Sequence, residues 1–131
     1  MYVEKINNED LIPAIDTEYL TSKGFTFEII PENGTILLII KDFPLSSAYI
    51  PHIADLLIIL PAGYPNTALD MFWTFPDVKL KNGNWPLKAE EHGKYNDIVW
   101  QRWSRHGTWR SGVDTLQNYI TTVRKEIDKG K

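Results

Sequence analysis

The chain has 131 residues, a formal net charge of −3 and no cysteine. This length suits a single domain with its own core, which we expect over residues 1–131. The acidic balance disfavours non-specific nucleic-acid binding, which needs several cations against phosphates. The lack of cysteine excludes disulfides, a thiolate nucleophile and cysteine-ligated zinc. Because no apolar run approaches the roughly 20 residues of a membrane span and no hydrophobic signal core opens the chain, we expect a soluble, cytoplasmic protein that binds neither nucleic acid nor membrane.

The first predicted element is a short helix that begins at Pro13 and stops before Gly24. Proline is tolerated at the first helical position, where its missing N–H is not needed, and glycine suits the left-handed residue that ends a helix. Apolar side chains then recur at helical spacing, which predicts one buried face. These side chains are Ile12, Ile15, Tyr19 and Leu20.

The next part of the chain predicts four antiparallel strands. Residues 25–29 alternate between apolar and polar, as a half-buried strand does. Asn33-Gly34 favours a tight hairpin turn, and further strands are predicted at residues 35–40, 55–60 and 69–75. The second and third strands are apolar on both faces. This pattern indicates burial under a helix on one side and a loop or N-terminal segment on the other, or else a sheet face kept for a partner.

Residues 79–110 show little periodicity and predict an irregular, aromatic-rich segment. A C-terminal helix follows, with Ser111 as its cap and Asp114 three residues on, in a variant of the capping box. Its apolar residues keep helical spacing from Val113 to Ile127. A helix, a four-stranded antiparallel meander, an irregular segment and a helix together predict an α+β fold.

Four motifs on these elements occur in the order found in ubiquitin-conjugating enzymes. They resemble a Tyr-Pro turn, a His-Pro-Asn turn, the active-site stretch Gly-x-x-Cys-Leu, and the tryptophan turn before the following helix. In this chain they read Tyr64-Pro65, Phe75-Pro76-Asp77, Gly83-Asn84-Trp85-Pro86-Leu87 and Trp109-Arg110-Ser111. The resemblance covers nearly the whole chain and implies a UBC-like fold. For the Tyr64-Pro65 bond, local sequence favours the trans form.

A closer resemblance is to the bacterial conjugating-enzyme-like proteins often called family E. Three blocks of sequence carry it: residues 70–73, Asp-Met-Phe-Trp; residues 100–106, Trp-Gln-Arg-Trp-Ser-Arg-His; and residues 109–114, Trp-Arg-Ser-Gly-Val-Asp. The resemblance implies a bacterial system that also contains a ubiquitin-activating-type enzyme, a JAB-type metalloprotease and ubiquitin-like proteins, often with several ubiquitin folds in tandem.

The chain departs from the conjugating enzymes where their chemistry occurs. Pro86 stands at the position of the thioester-forming cysteine, and Phe75 stands at that of the histidine. The asparagine is replaced by Asp77, which cannot donate a hydrogen bond when it is ionised. Because a thioester relay needs sulfur, we expect a pseudoenzyme that uses no cofactor.

Ser104, Arg105 and His106, together with Asp114, are candidates for a catalytic set of nucleophile, base and orienting group. However, Ser104 and His106 are two residues apart, and no special turn marks Ser104 as an exposed nucleophile. The favoured interpretation is that Arg105 and His106 bond to backbone carbonyls and hold the irregular segment. A further alternative is that Arg105 recognises the C-terminal tail of a partner.

The histidines do not predict a metal site, because His52, His92 and His106 lack the short spacing of zinc ligands. His92 lies in a charged stretch that suggests a solvated loop. Most tryptophans are expected to anchor the core, whereas Trp85 is expected to be partly exposed. Turn-forming residues 82–84 precede Trp85 and favour that exposure.

The leading hypothesis is a binding or scaffold module that forms no thioester and docks a ubiquitin-like protein or its activating enzyme. In this hypothesis, an aromatic and arginine-lined surface formed by residues 79–109 replaces the catalytic cleft. The predicted binding residues are Asp77, Trp85, Pro86, Arg102 and Arg105. One alternative is an active transfer component that uses an oxygen or nitrogen nucleophile, or that assists transfer from the activating enzyme. Another is a purely structural module, since a fold does not fix a function.

Overall fold

The computed structural model describes residues 8–131, so the first part of the predicted domain lies outside the described residues. The elements in chain order are a short 3₁₀ helix (Asn8–Leu11), α1 (Ala14–Ser22), β1 (Phe27–Glu32), β2 (Thr35–Pro44), β3 (Tyr49–Ile50), β4 (Ile53–Leu60), β5 (Phe72–Phe75), β6 (Lys79–Leu80), β7 (Glu91–Tyr95), β8 (Ile98–Trp103) and α2 (Leu116–Asp128). Within residues 8–131, no helix has the length and apolar character needed to cross a membrane.

Six of the strands form one antiparallel sheet in the order β1-β2-β4-β5-β8-β7, and β3 pairs with β6 apart from it. The predicted α+β fold is confirmed, and the predicted four-stranded meander corresponds to β1, β2, β4 and β5. The prediction that residues 79–110 are irregular is wrong, because this segment supplies β6, β7 and β8. The sequence of β8 does not alternate between apolar and polar residues. Trp100 and Gln101 point to opposite faces of the sheet, and both are buried, as is Trp103.

The main core lies between one face of the sheet and the two helices. α2 is amphipathic and buries Leu116, Tyr119, Ile120, Val123 and Ile127. They pack in one cluster with side chains of the sheet that include Leu38, Ile40, Leu56 and Ile58. Each fully buried side chain of this size contributes about 1.5–3 kcal/mol of burial free energy. The helices therefore support the sheet from this side only.

The other face of the sheet carries a second, smaller cluster. Its buried members are Leu37, Ile39, Leu57, Trp73 and Trp100. The sequence predicted that a loop or the N-terminal segment covers this face. Among the described residues, the indole rings of Trp73 and Trp100 cover it instead. The sheet also curls, so that the carboxylate of Glu32 at the end of β1 accepts the N–H of Asn96 at the tip of the β7–β8 hairpin, at 3.1 and 3.2 Å.

The two helices differ from their predicted limits and faces. α1 begins one residue after Pro13, and Gly24 follows its end with a φ of +74°, as predicted for a left-handed stop. Its predicted apolar face is wrong at Ile15, whose side chain is exposed. The buried residues of α1 are Asp16 and Leu20, so a buried carboxylate takes the place of an aliphatic side chain.

α2 begins at Leu116, later than predicted. The residue before it, Thr115, donates its N–H to Asn118 Oδ1 at 2.8 Å in a capping box. Ser111 is therefore not the cap, and Val113 is exposed before the helix. The cause is local: Asp114 accepts the N–H of Arg110 at 2.8 Å and closes a turn ahead of the helix.

The peptide bond between Tyr64 and Pro65 is cis, as are Ile50-Pro51 and Phe75-Pro76. The trans prediction for Tyr64-Pro65 was therefore wrong. Local sequence carries only the general preference of X-Pro bonds. It contains nothing about the tertiary contacts of Tyr64 with the helices.

Candidate functional site

Pro86, which the sequence resemblance predicts at the nucleophile position, lies inside a tight turn. Pro86 is buried, and its carbonyl oxygen accepts the N–H of Ala89 at 3.1 Å. Lys88 completes this turn with a φ of +54°, which is unusual for a residue other than glycine. Leu87 is exposed at the turn. The atom that would react in a conjugating enzyme is thus replaced by a buried proline ring beside an exposed leucine.

One side chain fixes both ends of the loop that contains this turn. The amide oxygen of Gln101 accepts the N–H of Val78 at 2.6 Å, and the amide nitrogen donates to the carbonyls of Val78 and Ala89, each at 2.9 Å. Gln101 is fully buried. Sequence reasoning missed Gln101, and its only signal was an uncharged polar residue inside a block of tryptophans.

Gln101 is itself part of a short buried chain of hydrogen bonds. The hydroxyl of Thr74 donates to the amide oxygen of Gln101 at 3.2 Å and accepts the indole N–H of Trp103 at 2.9 Å. Because every polar group in this chain has a partner, burial carries little unsatisfied cost. The arrangement joins β5 and β8 to the loop that follows Pro76.

The surface beside this loop carries a compact group of side chains, which we call the Trp85 cluster: Asp77, Lys79, Trp85 and His92. The Lys79 ammonium lies 4.1 Å from the centre of the Trp85 ring, which is half-buried. The His92 ring meets the Trp85 ring edge-on at 5.5 Å, and its Nε2 lies 2.9 Å from Asp77 Oδ1. The expected solvated loop at His92 was wrong, since His92 lies in strand β7.

The Trp85 cluster presents an aromatic ring, a cation and a histidine–carboxylate pair to solvent. A cation over an indole ring contributes about 0.5–1 kcal/mol at an exposed site. Leu87, two residues further along the chain than Trp85, is also exposed.

Arg105 lies in the interior. Its guanidinium donates to the carbonyls of Leu87 at 3.2 Å, Glu126 at 3.0 Å and Lys131, and lies 4.9 Å from the Trp103 ring centre. These contacts join the turn after Pro86 to the end of α2. They match the interpretation that Arg105 holds its segment through backbone carbonyls.

The structure does not bring Ser104, His106 and Asp114 together as a catalytic set. His106 Nδ1 lies 2.8 and 2.9 Å from the oxygens of Asp70, so the expectation that it bonds to backbone carbonyls is wrong. The Ser104 hydroxyl donates to the sulfur of Met71 at 3.6 Å.

Asp114 instead forms an ion pair within its own turn. Its Oδ1 accepts from Nε and Nη2 of Arg110 at 3.1 and 2.8 Å. The hydrogen bonds from the Arg110 side chain and backbone lower the pKa of Asp114. Asp114 is therefore held as a carboxylate that shapes the turn before α2.

Arg102 lies away from the Trp85 cluster. Successive side chains of a strand point to opposite faces, so Arg102 in β8 lies on the curled face and Gln101 on the helix face. Arg102 is half-buried, and its Nε is buried without a hydrogen-bond partner among the described residues. In the register of the sheet it stands between Trp73 and Glu91. The predicted binding residues are thus divided between two faces and the interior.

The tyrosine of the Tyr-Pro turn joins the two helices. The Tyr64 hydroxyl donates to Asp16 Oδ2 at 2.6 Å and accepts the N–H of Leu116, the first residue of α2, at 2.8 Å. Burial is the main cause that raises the pKa of Asp16, and the hydrogen bonds from Tyr64 and Leu116 oppose it. Burial and the neighbouring Asp16 also raise the pKa of Tyr64. This link sets the position of α2 under the sheet.

No group of three or more histidine and acidic side chains among residues 8–131 is placed to hold a metal ion.

The α+β fold, with an antiparallel sheet and flanking helices in a chain that has no cysteine, is compatible with the ubiquitin-conjugating-enzyme-like class. A model of the prokaryotic E2 family E matches residues 12–130. The chain therefore belongs to prokaryotic E2 family E. No curated protein and no solved structure matches it. Membership supports a role in a prokaryotic ubiquitin-like conjugation system, in which an E2-like protein interacts with ubiquitin-like proteins and activating enzymes.

Proposed function

We propose that this chain is a binding and scaffold module of that system, which docks a ubiquitin-like protein without forming a thioester. The observation that carries the proposal is Pro86, which occupies the nucleophile position and is buried in a tight turn. Residues 77–92 contain no cysteine, serine, threonine or tyrosine. No thiol or hydroxyl nucleophile therefore stands in the loop where the chemistry of the family would occur.

The proposed docking surface is the Trp85 cluster together with Leu87. Tryptophan is among the residues that most often dominate binding energy, because its ring offers a large contact area with little entropy to lose. Lys79 adds a cation that would attract a carboxylate. The occupant that fits is the C-terminal tail of a ubiquitin-like protein, an extended chain that ends in a carboxylate.

The interior residues would serve this surface by holding it in place. Gln101 and Arg105 fix the loop from inside, so the Trp85 cluster is ordered before a partner binds. A surface that is already ordered loses less conformational entropy on binding. Pro86 and Arg105 therefore act in the proposal as positioning residues rather than as contacts.

The resemblance to the bacterial family also suggests more specific partners. We include in the proposal a ubiquitin-like protein with tandem ubiquitin folds as the docked protein, and a JAB-type protease as another member of the same system. When one of two linked ubiquitin folds is bound, the other is held at a high effective concentration. The tandem protein would therefore bind a second copy of this module nearby with a higher apparent affinity.

The proposal is tested by titration calorimetry with a ubiquitin-like protein from the same organism. We expect Trp85→Ala to weaken binding by about tenfold, which is about 1.4 kcal/mol. Val113→Ala is the matched control, because Val113 is an exposed apolar residue outside the cluster. Equal affinity of Trp85→Ala and the wild-type chain would contradict the surface. Absence of binding by the wild-type chain would leave the purely structural module as the better description.

One observation favours a second candidate, which is assistance to a transfer reaction. The Asp70–His106 pair uses His106 Nδ1, and no described residue bonds to Nε2. A histidine oriented in this way by a carboxylate can act as a general base on an incoming amine. This function predicts that His106→Ala slows the labelling of a target amine by the activating enzyme while leaving the affinity for the ubiquitin-like protein unchanged.

A further inference from the structure

The two edges of the six-stranded sheet differ in how well they are protected. At the β1 edge, Lys41 donates its N–H to the carbonyl of Thr26 at 2.8 Å, and Glu32 pairs with Thr35. Even-numbered residues of this edge therefore bond inward to β2, and Pro31 lies at an outward position. Proline has no N–H to offer another strand. The 3₁₀ helix Asn8–Leu11 also packs against β1.

In the described part of the chain, the β7 edge has no proline and no helix against it, although at its tip the N–H of Asn96 is bonded to Glu32 of β1. Its hairpin turns through Asn96 and Asp97, whose φ values are +52° and +59°, so the flanking pair Tyr95 and Ile98 is hydrogen-bonded. Along an antiparallel strand, hydrogen-bonded and non-hydrogen-bonded pairs alternate. The main-chain N–H and C=O groups of His92 and Lys94 therefore point away from β8. Within residues 8–131, these outward N–H and C=O groups have no hydrogen-bond partner, and β7 pairs with β8 alone.

We propose that the open edge of β7 receives the C-terminal tail of the ubiquitin-like partner as an added strand. This inference rests on the proposed function and deepens it by stating how the tail is held. An extended peptide that joins a sheet edge gains affinity from main-chain hydrogen bonds and specificity from side-chain pockets. Here the bonds come from His92 and Lys94, and the Trp85 cluster supplies the specificity.

The edge is continuous with the Trp85 cluster, because His92 belongs to both. Its main chain lies at the outer edge of the sheet while its ring contacts Trp85 and Asp77. A strand added beside β7 therefore passes the indole ring of Trp85. The edge and the cluster form one surface.

Charge favours a tail that ends in a carboxylate. The Lys79 ammonium lies over the Trp85 ring near the start of β7, and Lys94 is exposed in the strand itself. The carboxylate of Asp77 lies 2.9 Å from His92 Nε2, within hydrogen-bond distance. By strand alternation, Glu91 lies on the opposite face from His92. A terminal carboxylate would therefore be received near Lys79, and the added strand would run antiparallel to β7.

A second copy of the chain fits this edge less well. Antiparallel pairing of two β7 strands around Gly93 would place His92 of one copy opposite Lys94 of the other, twice. Neither position then supplies the opposite-charge pair that stabilises two strands lying side by side.

The test uses proline to remove one outward N–H. Lys94→Pro deletes this donor without removing a bond between β7 and β8, and Lys94→Ala is the control that keeps the N–H but loses the charge. Binding is measured by calorimetry with a whole ubiquitin-like protein from the same organism. We expect Lys94→Pro to weaken binding by about tenfold and Lys94→Ala by no more than about threefold. Equal affinities of the two variants would overturn the inference.

A second measurement does not depend on how the proline variant folds. Hydrogen exchange on the wild-type chain should slow by about tenfold at the His92 and Lys94 amides when the ubiquitin-like protein is added, since each amide gains a partner. The same protein with its C-terminal tail removed should leave both amides unchanged. Slowing that persists without the tail, or none with it, would overturn the inference. The inference would also be overturned if the wild-type chain forms a dimer and the Lys94→Pro variant is a monomer.

Failure of this inference is distinguishable from failure of the proposed function. If Trp85→Ala weakens binding while the His92 and Lys94 amides stay unchanged, the docking surface stands and the added strand is wrong. If the wild-type chain does not bind the ubiquitin-like protein at all, the proposed function fails and the inference fails with it.

Discussion

Gln101 pairs with Val78 as one residue of a strand pairs with another. Its amide oxygen accepts the N–H of Val78 at 2.6 Å, and its amide nitrogen donates to the carbonyl of the same residue at 2.9 Å. Val78 belongs to no strand of the sheet, so a side chain supplies the bonds that a neighbouring strand would give. The loop that carries Trp85 begins from this fixed point.

Replacing Gln101 by leucine should therefore destabilise the protein strongly. The substitution leaves the N–H and C=O of Val78 and the carbonyl of Ala89 buried without this partner, and each unsatisfied group costs about 1–3 kcal/mol. We expect a fall of roughly 3 kcal/mol in the free energy of unfolding, measured by urea denaturation. Gln117→Leu on the exposed side of α2 is the matched control and should change stability by less than about 0.5 kcal/mol. A similar small change in both variants would refute the anchoring role of Gln101.

Replacing Arg105 by alanine should also lower the free energy of unfolding. Arg105→Ala removes donors to the carbonyls of Leu87 and Glu126 and the stacking on Trp103. Stability should fall by about 2–4 kcal/mol in thermal or urea unfolding. Arg110→Ala removes an arginine whose side chain is exposed and serves as the comparison. If Arg105→Ala unfolds at the same urea concentration as the wild-type chain, its guanidinium is not part of the frame.

The sequence predicted the parts of the fold that repeat a local pattern. Asn33-Gly34, with φ values of +49° and +80°, forms the expected hairpin turn, and the two apolar strands lie at the centre of the sheet. The β7–β8 hairpin could not be predicted in this way. Trp100 and Gln101 are buried on opposite faces, so β8 lacks alternation, and β7 is polar and short.

The candidate site was only partly visible in the sequence. The motif around Pro86 is local, so the sequence alone predicts Pro86 at the nucleophile position. The partners of Asp77 and His106 are His92 and Asp70, at 15 and 36 residues along the chain. Such pairs depend on the tertiary fold, and the spacing of residues in the sequence carries no sign of them.

Gly93 should resist the addition of a single methyl group. A Cβ at this position would lie 2.9 Å from Cζ3 of Trp73 and 3.2 Å from Cε2 of Tyr95. We expect Gly93→Ala to cost about 1–3 kcal/mol of stability through overpacking, measured by urea unfolding with tryptophan fluorescence. Gly107→Ala is the matched control. A Cβ at this position would lie 3.7 Å from Cγ2 of Thr122, which is an ordinary van der Waals contact.

A double substitution tests the cause of this cost. If the clash with the indole is responsible, Gly93→Ala should cost much less when Trp73 is already leucine, and the double-mutant cycle should show coupling of at least about 0.5 kcal/mol. Additive effects would show that the methyl group acts through another contact.

Asp16 should give stability a particular pH dependence. Its pKa is raised in the folded protein, chiefly by burial, from an ordinary value of 3.8. Between the unfolded and the raised folded pKa, the folded state therefore binds more protons than the unfolded state. The free energy of unfolding should fall as pH rises through this window and then level off.

Asp16→Asn isolates this contribution, because asparagine keeps an oxygen that can accept the Tyr64 hydroxyl. The difference in unfolding free energy between the wild-type chain and Asp16→Asn, measured from pH 3 to 8, should decline with rising pH. A difference that grows with pH would mean that the folded state favours the ionised carboxylate instead.

The most direct test of the central claim is the intact mass of this chain under denaturing conditions. The chain is incubated with ATP and with a ubiquitin-like protein and an activating enzyme from the same organism. With the activating enzyme shown to be charged in the same tube, we predict that the chain keeps its unmodified mass, because Pro86 leaves no thiol for a thioester. An added mass equal to the ubiquitin-like protein less one water would contradict this account and make the chain a covalent participant.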